Sequence, residues 1–169
     1  MKRFALALGF SLLAANALAQ EYKEGLSGPA ADPIGHYIEQ TKIDCYKPAG
    51  ETKGRIAETA FQTSVFYGSF LNGTAQHALA FVTYQYDVTG NAVDQMALLF
   101  KETDGAWKPV SRALNTIGTD PRELAWGNDT ITYTGTIVGP SDSRANPTGS
   151  GRFRLRVTEK GMTFVKTGR

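Results

Sequence analysis

Between residues 61 and 110, three apolar runs separated by turn-forming residues constrain this chain more than any other feature. FQTSVFYGSFL (61–71) is followed by Asn72-Gly73-Thr74, HALAFVTYQY (77–86) by a turn at 87–91, and VDQMALLFKE (93–102) by Thr103-Asp104-Gly105 with AWKPV beyond. Asn-Gly and Asp-Gly accept the positive φ of a primed turn, so between β-branched and aromatic runs they mark hairpins. The stretch is predicted to be an antiparallel meander. Ala78, Ala80, Val82, Tyr84 and Tyr86 share one face of the second run, yet Leu79 and Phe81 make its other face apolar too. Met96, Leu98 and Phe100 are backed by Ala97 and Leu99 in the same way. A hairpin apolar on both faces requires cover on both sides, from a helix or a second sheet.

A helix is expected just upstream. Asp32 is placed to cap it and Pro33 to open it, since the first helical residue needs no backbone donor. Ile34, Tyr37, Ile38 and Thr41 recur at the spacing of one helical face, with His36 off that stripe, and the helix is predicted to end near Asp44. Residues 51–59 fit either a short helix or the lead-in of the first strand.

Downstream, residues 116–123 (TIGTDPRE) read as a loop with a turn at Asp120-Pro121, and Pro109 suits an edge strand or a bulge. Ile131, Tyr133, Gly135 and Ile137 then alternate with four threonines, the pattern of a strand with one solvated face. GPSDSRANPTGSG (139–151) is rich in breakers and reads as a surface loop, a natural contact region. A last hairpin turns at Glu159-Lys160-Gly161.

The fold expected is mainly β: a single antiparallel domain of seven or eight strands, forming a barrel, sandwich or bent sheet, with one N-terminal helix. The alternative is an α+β domain with a second helix over 51–67. Domain organisation is expected to be a signal peptide at 1–19, a flexible arm at 20–32 and the β-rich domain at 33–169. Lys2-Arg3, an apolar run of 12 residues from Phe4 to Ala15, and Ala17-Leu18-Ala19 have the three parts of a secretory signal. The apolar run is shorter than the roughly 20 residues that span a bilayer. Export to a bacterial periplasm or beyond, with cleavage after Ala19 and no membrane span, is the expectation. The 150 residues that remain suffice for a core that buries about 68–70% of the unfolded surface. Cys45 is single and so has no partner within the chain; a buried thiol is expected.

Without the signal the chain carries 16 basic and 16 acidic residues, unevenly divided: 6 basic and 11 acidic over 20–104, then 10 basic and 5 acidic over 105–169. A zero balance speaks against nucleic acid as a partner. The basic half contains the sharpest candidate site. Arg152, Arg154 and Arg156 alternate with Phe153, Leu155 and Val157, so with the apolar three inside, the guanidinium groups line up outside at about 6.6–7 Å spacing. Arg144 and Lys166 are the neighbours expected to join this basic face, whose fitting partner is a protein or an anionic envelope component. The bland alternative is a solvated face that blunts an edge strand.

Other chemistry is thin. Asp87, Thr89, Asn91 and Asp94 around Gly90 form a weak match to a calcium loop, and a plain hairpin connection explains them better. No nucleophile elbow, zinc-binding helix, Cys-x-x-Cys or phosphate loop occurs, and no cofactor is implied. A non-catalytic exported binding module is therefore the leading expectation. The alternatives are a small periplasmic hydrolase assembled from dispersed carboxylates (Asp87, Asp94, Glu102, Asp104) with a histidine, His36 or His77, and a subunit of an envelope assembly.

Overall fold

A computed structural model describes residues 22–44, 53–55, 59–85, 93–143 and 146–165. The expected signal segment, Cys45, Asp87, Thr89, Asn91, Arg144 and Lys166 lie outside the described residues. Helix α1 (Ala31–Gln40) precedes a short antiparallel pair, β1 (Lys42–Asp44) with β2 (Lys53–Arg55). Two four-stranded antiparallel sheets follow. β3 (Ala60–Gly68), β4 (His77–Gln85), β5 (Val93–Thr103) and β6 (Ala106–Thr116) form the first, in chain order. β7 (Thr119–Trp126), β8 (Thr130–Ile137), β9 (Gly149–Thr158) and β10 (Gly161–Val165) form the second.

The double-sided apolar character of β4 and β5 is explained by a three-layer stack. On one side of the first sheet, Ile34 and Ile38 of α1 pack with Tyr22 and Ala30 onto Ala78, Ala80, Val82, Met96, Leu98 and Phe100. Burial of the two isoleucines contributes about 1.5–3 kcal/mol each. On the other side, Leu79, Phe81, Ala97, Leu99 and Ala113 meet Ile131, Tyr133, Phe153, Leu155 and Met162 of the second sheet. Helix and second sheet each supply one of the two covers that the strand pattern demands. At the margins β6 lies against β10, where Ser111 Oγ accepts a bond from Met162 N at 2.7 Å, and β3 approaches β7.

Several local expectations are corrected. Asp32 does not cap the helix: Ala30 holds that position without a side-chain cap, and Asp32 sits in the first turn, where a carboxylate favours the helix dipole. The helix stops at Gln40 rather than near Asp44, because residues 42–44 pair with 53–55. The expected arm includes residues 22–32, within which Tyr22 and Ala30 are buried and Tyr67 Oη both accepts from Ala30 N at 3.0 Å and donates to Ser27 O at 2.7 Å. The alternative second helix over 51–67 gives way to strand at 53–55 and 60–67.

The loop predicted over 116–123 is largely strand β7. Asp120 and Glu123 take positive φ (51° and 54°) at the two places where the β7–β8 register slips. These bulges let the strand pass through residues whose local chemistry signals a turn. Asp104-Gly105 makes the expected tight turn, with φ of 54° and 78°. Asn72-Gly73 also closes a turn, Gly73 N donating to Phe70 O at 3.0 Å, but within a longer connection from 69 to 76, since Phe70 turns in against His77 and Trp126 and Leu71 N donates to Gly127 O at 3.0 Å.

Candidate functional site

The outward face of the second sheet carries the basic row. Phe153 and Leu155 are buried, Val157 is half-buried, and Arg152, Arg154 and Arg156 alternate with them on the exposed side of β9. Residues directly opposite in an antiparallel pair share a face. Thr134, Thr132 and Thr130 of β8 therefore stand beside Arg152, Arg154 and Arg156 in turn, and Thr163 of β10 flanks Arg156 from the other side. The result is an arginine row bordered by hydroxyls, on a surface that strand pairing keeps extended.

A fourth guanidinium belongs to this surface. Arg122 of β7 donates through Nη1 to Thr136 Oγ1 at 3.1 Å, to Asp120 O at 3.0 Å and to Asp120 Oδ2 at 3.2 Å, while Nη2 reaches Ser150 Oγ at 3.4 Å. Sequence reasoning missed it because residues 116–123 read as a loop. Only the bulges at Asp120 and Glu123, which leave no alternation to read, turn it onto the sheet. Arg156 Nε lies 3.4 Å from Asp129 Oδ2, and both side chains are more than half exposed. The acids that pair with Arg156 and Arg122 thus come from the same sheet and its turns, not from the acidic N-terminal half.

The loop before β9 has its own internal order. Asp142 accepts from Gly139 N at 2.7 Å, Thr148 Oγ1 at 2.7 Å, Gly149 N at 3.1 Å and Thr148 N. These donors, Thr148 N foremost, hold its carboxyl down to about 2. Asp142 thereby ties the two ends of the loop together at the start of the arginine strand.

The remaining candidates do not converge. Asp94 and Glu102 lie eight positions apart on β5, roughly 26 Å along the strand. Glu102 Oε1 accepts from Gly105 N at 2.6 Å in the tight turn, and Asp94 Oδ1 accepts from Gln95 N at 2.8 Å. Burial raises the Asp94 carboxyl above its ordinary value against the opposing pull of the Gln95 N–H and the Tyr84 hydroxyl. His77 packs its ring against Phe70 at 4.9 Å and Trp126 at 6.2 Å, and burial, with Lys101 nearby, lowers its pKa despite a bond to Ala75 O. His36 faces solvent beside Glu39 at 3.6 Å, in an open groove of about 300 Å³ that Asp32 and Lys23 also line. The Lys23 ammonium, 3.0 Å from Glu39, lowers that carboxyl's pKa and engages it in a solvated ion pair. Among the described residues, no group of three or more His, Cys, Asp or Glu is placed to hold a metal ion, and no helix is long and apolar enough to cross a membrane. Comparison with family models, curated proteins and solved structures finds no match.

Proposed function

We propose that the protein is an exported, non-catalytic binding module that holds an anionic envelope polymer along the outer face of its second sheet. The observation that carries this reading is the exposed row of Arg152, Arg154 and Arg156 on one strand, bordered by Thr130, Thr132 and Thr134 and backed by a packed core. Arginine forks match carboxylate, sulfate and phosphate groups in paired hydrogen bonds, and the Thr130 and Thr132 hydroxyls add neutral donors and acceptors between them, while Thr134 donates to Glu123 Oε2 at 2.7 Å. A row along a strand suits an extended chain of repeating anions better than a single small ion. Export rests on the charged, apolar and Ala-x-Ala parts of residues 1–19.

The test is retention on heparin-agarose, with poly-glutamate as a competing polypeptide polyanion. The native protein is expected to bind heparin in a salt-sensitive way, and the triple variant Arg152→Gln, Arg154→Gln, Arg156→Gln to elute with the void while its thermal midpoint stays within a few degrees. Equal retention of native and triple variant would remove the arginine row from the function. Displacement by poly-glutamate at far lower concentration than by free heparin would transfer the reading to an acidic protein.

A further inference from the structure

At one end of the space between the two sheets the apolar filling stops and a polar floor replaces it. Along β4 the residues facing the second sheet run Leu79, Phe81, Thr83, and along β5 they run Leu99, Ala97, Gln95. Thr83 is paired with Gln95, and Gln95 with Thr116 of β6, so the three polar residues sit side by side. All three are buried. Beyond them opens a cleft of about 490 Å³, walled by Val93, Ile117, Ile137, Val138 and Pro147. The Tyr133 ring, 4.7 Å from Phe81, lies in the core behind this floor, and its hydroxyl donates to Ile117 O at 2.8 Å.

The floor has one unmatched amide nitrogen, which carries two protons, and one shared hydroxyl proton. Gln95 is only 3% exposed, and its Nε2 has no hydrogen-bond acceptor among the described residues. Thr116 has a single hydroxyl proton but two acceptors in reach, Gln95 O at 3.1 Å and Gln95 Oε1 at 3.0 Å. A buried polar atom left unpaired costs free energy, so a ligand that satisfies it gains affinity there. The walls add an apolar lining of the kind that buries most of a small ligand. Among the described lining residues the only charged side chain is Asp94, which lies on the opposite face of β5 from Gln95 by strand alternation and already accepts from Gln95 N.

We propose that this cleft is a binding site for an uncharged, mainly apolar molecule bearing a hydroxyl group, seated with its apolar body between Ile117, Val138 and Pro147 and its hydroxyl on Gln95 and Thr116. A hydroxyl has one proton and two lone pairs, so it can accept from the Gln95 Nε2 group and donate to the acceptor that Thr116 leaves underserved. A carboxylate head would meet no cation among the described lining residues. An ammonium head would leave water for neutral hydroxyl and amide acceptors on this floor, since Asp94 sits on the opposite face of β5 from Gln95. The site is distinct from the row of Arg152, Arg154 and Arg156, and it adjoins the arginine face at Thr136, which lines the cleft and accepts from Arg122.

The experiment is titration of the ¹⁵N-labelled full chain with 1-octanol, followed by NMR, with octanoate and octylamine as charged comparators. Octanol is expected to shift the Gln95 side-chain amide pair saturably, together with the backbone amides of Ile117 and Val138, and the two charged amphiphiles to bind at least about tenfold more weakly. Gln95→Met, which keeps the length and removes the amide, is expected to weaken octanol about tenfold, or about 1.4 kcal/mol. Because Gln95 is buried and that variant can fail to fold, Val138→Trp at the exposed rim gives an independent readout and is expected to abolish the shifts. No saturable shift at Gln95, equal binding of a charged amphiphile, or unchanged octanol affinity in a folded Gln95→Met or Val138→Trp protein would overturn the proposal.

Discussion

Gly135 of β8 and Gly118, in the two-residue link between β6 and β7, approach so closely that a Cβ on Gly135 would come within 2.8 Å of the Gly118 Cα. Gly118 itself has φ +94° and leaves room for the Phe153 ring. The corner that carries the chain from one sheet to the other therefore closes only with hydrogen in both places. Gly135→Ala is expected to destabilise the fold by roughly 1–3 kcal/mol through forced backbone displacement, measured as a lower urea midpoint with an unchanged m-value. An unchanged midpoint would show that the corner yields freely.

Leu155 is fully buried between the sheets, whereas Arg154 beside it is exposed. Leu155→Ala is expected to cost about 2–5 kcal/mol by leaving a cavity, and Arg154→Gln less than about 1 kcal/mol. Chemical denaturation of the two variants separates them. If the arginine variant were the more damaging, the outer face would be part of the stabilising core of contacts rather than a free surface.

His77 provides a pH dependence with a definite sign. Its folded pKa is lowered from 6.5, chiefly by burial, so the unfolded chain binds the proton more readily. Its contribution is fully present above 6.5 and is lost as pH falls from there through the lower folded value. NMR titration should place the imidazole below an ordinary histidine, and the denaturation midpoint of native protein, but not of His77→Phe, should drop across that window. A His77 pKa at or above 6.5 would contradict the packing against Phe70 and Trp126.

Asp142 acts at lower pH. Its carboxyl is held at about 2, below the ordinary 3.8, so the order it gives the loop is present above 3.8 and lost as pH falls through about 2. Asp142→Ala removes the acceptor of Gly139 N, Thr148 N and Gly149 N, and is expected to speed amide exchange at those positions at neutral pH without unfolding the sheets. Protection unchanged in the variant would mean that the loop is ordered by something else.

The proposed export has a defined chain start as its consequence. Protein recovered from the periplasm of an expressing bacterium is expected to begin at Gln20 by intact mass. Material that retains Met1 in that fraction would contradict cleavage after Ala19.

The parts of this fold legible in the sequence are those written in a local period. Alternation places Phe153 and Leu155 inside and the arginines outside, and the two-faced apolarity of β4 and β5 by itself requires two covers. What escaped depends on partners distant in sequence. Residues 42–44 leave the helical pattern because 53–55 pair with them. The Asp120-Pro121 signal was real turn chemistry, absorbed by bulges within a strand. Gln95 and Thr116, 21 positions apart, meet only through β5–β6 pairing, so no spacing rule marks the polar floor that they share.

The place of β4 and β5 in the middle layer bears on the order in which the chain can mature. One face of this hairpin is covered by α1, which precedes it, but Leu79, Phe81, Ala97 and Leu99 stay bare until residues beyond 119 arrive. A growing or truncated chain ending at Thr116 would present a broad apolar sheet face, the kind of surface through which partly folded chains associate with one another. A chain cut short before β7 is therefore expected to associate where the full chain does not.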